Sequence, residues 1–249
     1  MQMRGTPPEP MPLVLRGPRC SLTREAEKMS YVVSISGSPS IQSRSTHLLS
    51  VAETALRAHD LNVRRINVRD LPPAALMHAD FAHPAIREAL ELIEHAQAVV
   101  ISTPLYKASY SGLLKTLLDL LPQSGLAGKI VLPIATGGSL AHLLALDYAL
   151  KPVLSSLGAR HHLPNVFASD ADLPRGDTGY SLLPEISQRI HESADALAHA
   201  LVEQAQLREW RASGVGKIKG GSGVERRLGA STASTGSTAA VIALARCGT

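Results

Sequence analysis

The run AQAVVISTPLYKASYSGLLKTLLDLL, residues 96–121, decides the fold of this chain. Its first seven residues, Ala96 to Ser102, are nearly all apolar. That is the pattern of a strand covered by helices on both faces rather than one with a wet face. A loop with hydroxyls and two tyrosines follows. Leu113, Leu114, Leu117, Leu118 and Leu121 then recur at helical spacing, which predicts a helix over 109–121 stopped by Pro122. A buried strand feeding a helix is half of a βαβ unit, and the same alternation extends in both directions.

Upstream, Tyr31 to Ser36 is a β-rich run ending in a Gly/Ser/Pro loop, and residues 45–58 carry Leu48, Leu49, Ala52, Ala55 and Leu56 at helical spacing. Asn62 to Val68 reads as a second strand, and residues 84–95 as an amphipathic helix with Ile86, Leu90 and Ile93 on one face. Downstream, Lys129 to Ala135 predicts a fourth strand, residues 140–157 a fourth helix and Leu163 to Ala168 a weak fifth strand. A polar loop and a final helix from about Leu182 to Gln206 complete the pattern. Strands alternating with helices imply parallel pairing through right-handed crossovers. The expected class is therefore α/β, a doubly wound five-stranded parallel sheet in the flavodoxin-like order 2-1-3-4-5.

The ends of the chain differ from its middle. Residues 1–28, rich in proline and arginine and without periodicity, are expected to be a disordered extension, and residues 207–249 a low-complexity tail. The sequence pI of about 9.2 comes from these ends: residues 1–28 carry a net charge of +2, residues 207–249 +5, and residues 29–206 −3. The middle has no electrostatic footprint for nucleic acid. Cys20 and Cys247 both fall in the ends, so neither a disulfide framework nor a thiolate site is expected in the domain over 29–206. No apolar run approaches the roughly 18 residues a membrane helix needs, and no secretory signal is legible, so cytoplasmic residence is expected.

In an open parallel sheet, ligands bind beyond the carboxyl ends of the strands. The loop after strand 1, Ser36 to Thr46, offers hydroxyls, Arg44 and the amides of a helix start, which suit a phosphate dianion. It is neither a Walker loop nor a GxGxxG fingerprint, and a serine-rich turn with an ordinary N-cap fits it as well. The loop after strand 3, Ser102 to Gly112, holds Tyr106 and Tyr110, two of the seven aromatics in residues 29–206. These rings suit a planar ligand, or they pack over the sheet edge. After strand 4, Ala135-Thr136-Gly137-Gly138-Ser139 lets a ligand approach the backbone, with Ser139 placed to cap the next helix; a tight turn without a ligand fits equally. Lys115 and Asp119 stand four apart, as a surface pair does.

These residues also resemble a family. Gly37-Ser38-Pro39 with Ser43-Arg44-Ser45-Thr46, TPLYKASYSGLLKTLLDLLP (103–122) and ATGGSLAHLLALDYALKPVL (135–154) are similar to the NAD(P)H-dependent FMN reductases of flavodoxin-like fold. The likeness is greatest to the alkanesulfonate-system reductases, the flavin-supplying half of two-component monooxygenases, and it covers roughly Ser30 to Leu201. It implies FMN as cofactor or substrate, NADPH or NADH as reductant, a flavin-dependent monooxygenase as partner and a homotetramer. It places Ser38, Arg44, Ser45 and Thr46 on the FMN phosphate. It places Pro104, Leu105, Tyr106, Lys107, Tyr110 and Ser111 at the flavin ring, together with Thr136, Gly137, Gly138 and Ser139. Tyr148 resembles the tyrosine inserted in this subgroup's fourth helix, where it forms a π-helical bulge at the tetramer interface near the facing subunit's flavin, and it is the catalytic candidate.

A bound-FMN quinone or azo-type reductase shares fold and cofactors and is the alternative; an electron-carrying flavodoxin is normally far more acidic. A receiver module needs acids where Ser36-Gly37-Ser38 stands. There is no GxSxG elbow for a serine hydrolase, and neither HExxH nor helix-spaced histidines for a metal, since His161 and His162 are adjacent. His142 begins the predicted fourth helix and reads as structural.

Overall fold

The structure is a computed structural model that describes residues 31–177 and 179–213. The expected extension, most of the expected tail, and both cysteines lie outside the described residues. The chain divides into two compact units, Met1–Glu209 and Trp210–Thr249; the fold below is that of the first.

Five parallel positions make the sheet. Strands β1 (Tyr31–Ser36), β2 (Asn62–Asn67), β3 (Ala98–Tyr106) and β5 (Ile130–Gly137) lie in the order β2-β1-β3-β5, and the fifth position is shared by β6 (His161–His162) and β7 (Val166–Ser169). In the strand numbering of the sequence reading this is 2-1-3-4-5. A two-residue strand β4 (Ser109–Tyr110) turns back antiparallel on the end of β3.

Period-two alternation sorts the core into two layers. Val33 and Ile35 of β1 face α2 (Pro73–Met77), α3 (Pro84–His95), α4 (Gly112–Leu118) and α5 (Lys151–Ser156). Val32 faces the other side, with Leu48 and Leu49 of α1 (Arg44–Ala58) and Ile186, Ile190 and Leu197 of α6 (Pro184–Ala212). Ser34 and Ser36 share that second face, and both are buried. Each hydroxyl is satisfied by α1: Ser34 donates to Glu53, and Ser36 pairs with Thr46 Oγ1 at 2.8 Å. Glu53 also accepts from Arg65 Nε at 2.6 Å, which supplies the partner a buried carboxylate requires.

The structure departs from the sequence reading at identifiable places. The helix expected over 109–121 starts only at Gly112, because Ser109 and Tyr110 are taken into the β4 hairpin and Ser111 caps the helix, accepting from Leu114 N. The fifth strand, expected as Leu163 to Ala168, is broken between β6 and β7. His162 lies opposite Val131 and Val166 opposite Ile134, so the edge fits one extra residue around Pro164. Ile130 N donates to Gln97 O on the β3 side, whereas Val131 O accepts from Leu163 N on the fifth-strand side. Alternation therefore turns Pro133, which has no N–H, towards that gap, the place in the ladder where a missing donor does least harm.

The fourth helix, expected over 140–157, is a 3-10 turn at Leu140–His142, a π turn at Leu146–Leu150 and then α5. Ser139 occupies its N-cap position, but its side chain makes no capping bond, against expectation, because the element starts as a 3-10 turn from an extended residue. The polar loop before α6 contains a small hairpin of β8 (Arg175–Gly176) and β9 (Gly179–Tyr180). Helix α6 runs from Pro184 to Ala212, past the expected helix end at Gln206.

Candidate functional site

The carboxyl ends of β1, β3 and β5 open onto one cleft of about 250 Å3. Loop 1 folds tightly beneath it. Ser43 caps α1 by accepting from Thr46 N at 3.4 Å, and its hydroxyl shares a hydrogen with Ser45 Oγ at 2.9 Å. Gly37 N donates to Ser102 O at 2.8 Å, and Ser102 Oγ donates to Ser45 O at 2.8 Å, which pins the loop to β3. Ser38 and Ser45 are buried. The N-cap and the anion-suited loop are thus the same structure, with Ser43 and Arg44 at the start of α1 lining the cleft.

Arg44 stands at the mouth of this cleft. Its Nε donates to Leu173 O at 3.1 Å, its Nη1 lies 3.4 Å from Asp170, and its guanidinium sits 5.2 Å over the Tyr180 ring. The Arg44–Asp170 pair is part-exposed, 31% and 50% for the two side chains, so it is worth no more than about 1 kcal/mol and yields easily to a stronger anion. A guanidinium has five N–H donors, and these partners leave some for a phosphate.

The second loop supplies a wall. Pro104, Leu105 and Tyr106 line the cleft, and the chain reverses at Lys107 and Ala108, both in left-handed conformation with φ of +50° and +62°. Tyr110, on the return strand, is half-buried, and burial pushes its phenol above its ordinary pKa, with Lys115 pulling the other way. It therefore stays protonated, a hydrogen-bond donor, at neutral pH. Ser111 is buried and donates to Gly37 O, so it joins loop 1 to α4. In the third loop Thr136, Gly137 and Gly138 line the cleft. A Cβ on Gly138 would meet nothing within 4 Å, whereas one on Gly137 would lie 3.3 Å from Phe167 and 3.5 Å from His142. The first glycine serves packing; the second leaves backbone open to a ligand.

Of the residues proposed from sequence, Ser38, Arg44, Pro104, Leu105, Tyr106, Thr136, Gly137 and Gly138 line this cleft together. Ser45, Thr46, Lys107, Tyr110, Ser111, Ser139 and Tyr148 do not. Thr46 lines a neighbouring, larger cavity. Tyr148 lies in the π turn, which packs against β4, and is 79% exposed. Ser40, Gln42, Ser43, Asp170 and Tyr180 also line the cleft and were not singled out from the sequence. Asp170 and Tyr180 come from a segment without periodicity, and only their contact with Arg44 marks them.

The sequence profile of the NADPH-dependent FMN reductases matches residues 30–173. The chain belongs to that family. Its members include an FMN reductase (NADPH) of Pseudomonas putida, 47% identical over 175 residues that cover 70% of this chain and 89% of the relative. An FMN reductase (NADPH) of Escherichia coli is 44% identical, with 68% and 89% covered. The crystal structure of an apo NADH:FMN oxidoreductase superposes with a TM-score of 0.63 at 40% identity, covering 69% of this chain and 89% of the other.

The residues of this family member fit FMN. Loop 1 presents hydroxyls, the start of α1 and a guanidinium for the phosphate, and Pro104, Leu105 and Tyr106 line the same cleft as the open backbone of Gly138. Among the described residues no helix is long and apolar enough to cross a membrane.

Proposed function

We propose that this chain is an NAD(P)H:FMN oxidoreductase that works in the cytoplasm and hands reduced FMN to a flavin-dependent monooxygenase, in the service of sulfonate-sulfur acquisition. The observation that carries the reading is the convergence of three chemically distinct loops on one cleft.

FMN supplies the redox chemistry when bound, accepting hydride from a dihydronicotinamide. The chain's own residues position and release. Arg44 and the start of α1 anchor the phosphate, with Ser38, Ser45 and Thr46 shaping the loop. Pro104 to Lys107 and Thr136 to Ser139 border the ring, and Tyr110 and Ser111 fix the hairpin that carries that border. A bound flavin would need one ring face left free for the nicotinamide, and parallel stacking at contact distance would be the main catalytic requirement. An exposed tyrosine on a π turn beside that hairpin supports a homotetramer in which Tyr148 reaches the facing subunit's flavin.

The test is anaerobic NADPH oxidation by flavin-stripped protein with FMN in excess. Many turnovers per site, each yielding free reduced FMN, are expected. Reduction halting after one equivalent per site, and resuming only with a quinone, would overturn flavin release. Sedimentation of the same protein as a monomer would overturn the tetramer. Unimpaired growth of a deletion strain on a sulfonate as sole sulfur source would overturn the sulfonate role.

A further inference from the structure

A second cavity of about 400 Å3 lies beside the flavin cleft, between α1 and the β8–β9 hairpin. The two share Gln42, Ser43 and Tyr180, so a ligand whose phosphate rests in loop 1 can continue into the second without leaving the protein. The FMN reading uses only its loop 1 edge, at Ser43 and Thr46, and its remaining walls are chemically varied. Arg175 gives one N–H to Gln42 Oε1 at 2.7 Å, and a guanidinium has four more. Tyr180 supplies an aromatic wall, with the His47 ring 6.1 Å away and tilted by 52°. Gly176 and Gly179 also line the cavity, and a Cβ on Gly179 would meet nothing within 4 Å. Asp177 places a carboxylate two residues from Arg175.

An arginine and a carboxylate lining one cavity suit a nucleotide. The guanidinium suits a phosphate in bidentate geometry, and the carboxylate accepts from a ribose hydroxyl. An aromatic wall suits a purine. Burial lowers the pKa of His47, so its ring is neutral at pH 7 and meets a base edge through hydrogen bonds rather than charge. We propose that this cavity is a subsite for the phosphorylated adenosine half of a dinucleotide, with Arg175 on the phosphate, Asp177 on the ribose and Tyr180 against the adenine. The inference rests on the FMN reductase reading for the neighbouring cleft. Two dinucleotides carry this chemistry: FAD, whose adenylate extends from the flavin phosphate, and NADPH, whose adenosine bears a 2′-phosphate.

Calorimetric titration of 5′-AMP and of 2′,5′-ADP into the full chain, wild type beside Arg175→Met, tests the subsite without turnover. At least one mononucleotide is expected to bind wild type and to bind the variant about tenfold or more weakly, while the affinity for FMN stays within about twofold. Preference for 5′-AMP, with a KM for FAD raised in the variant, identifies FAD as the source. Preference for 2′,5′-ADP, with a KM for NADPH raised and that for NADH unchanged, identifies NADPH. Should Arg175→Met fail to fold, Asp177→Asn carries the same test, with weakened mononucleotide binding expected. A wild-type chain that binds neither mononucleotide, or a variant that binds both as tightly, overturns the subsite. Nucleotide binding by a chain that cannot reduce FMN would instead sink the reductase reading and leave the subsite standing.

Discussion

Gly37 passes so close to α4 that a Cβ on it would lie 2.8 Å from Leu114 Cβ. Leu114 is fully buried and cannot swing away, so the loop must lift or the helix must shift, at a cost of about 1–3 kcal/mol. Gly37→Ala is expected to lower the thermal midpoint and to weaken FMN binding together, as read by differential scanning calorimetry and flavin fluorescence quenching. A lowered midpoint with unchanged FMN affinity would show that the position of loop 1 does not matter to the ligand. The glycine is legible in the sequence as part of a turn, but the reason for it is not, since Leu114 lies in another element. Arg44 poses the same problem: its charge is visible at once, while its partners Asp170, Leu173 and Tyr180 appear only when the last loop is folded back over the first.

At the scale of elements, the β3–β4 hairpin turns through Lys107 and Ala108 with positive φ at both. Two-residue hairpins of this hand favour Asn-Gly, and a non-glycine residue in the left-handed region costs about 1–2 kcal/mol. Ala108→Gly is expected to stabilise the chain by about 1 kcal/mol, raising the midpoint by roughly 2–4 °C. If the tight turn fixes Tyr106 against the flavin, the same variant raises the KM for FMN; an unchanged KM would show the strain to be incidental. Sequence alone puts Ser109 and Tyr110 at the head of a helix because the leucine spacing is strong and two-residue strands carry no periodicity. The π turn was implied by resemblance alone, as one inserted residue leaves the local apolar pattern nearly intact.

Across the whole molecule, two histidines make stability depend on pH. Burial holds the pKa of His162 below its ordinary 6.5; the charges of Lys151 and His161 reinforce this, and a hydrogen bond from the ring to the Ala159 backbone opposes it. His47 is lowered by burial alone. Below pH about 6.5 the unfolded chain binds these protons more readily than the folded one. Stability is therefore full above that pH and is lost as pH falls through the window beneath it. Urea midpoints are expected to drop between pH 7.5 and 5.5, and His162→Gln is expected to flatten part of that slope. An identical slope in the variant would refute the assignment.

The sequence alone determined the α/β class, the strand order, and the loops that meet at one sheet edge. Apolar period and turn chemistry are local properties that survive in a string: β1 and α3 fall where the pattern puts them, Tyr31–Ser36 and Pro84–His95. Only the tertiary structure decided which side chains line the cleft and which are used up inside the loops. It turned the hydroxyls of Ser111 and Ser45 to Gly37 and Ser43, brought Asp170 and Tyr180 to Arg44, and opened a second cavity under the β8–β9 hairpin. Apart from the Ser45–Ser43 pair, those outcomes depend on hydrogen bonds and charge contacts between residues more than seventy positions apart, which no local period encodes.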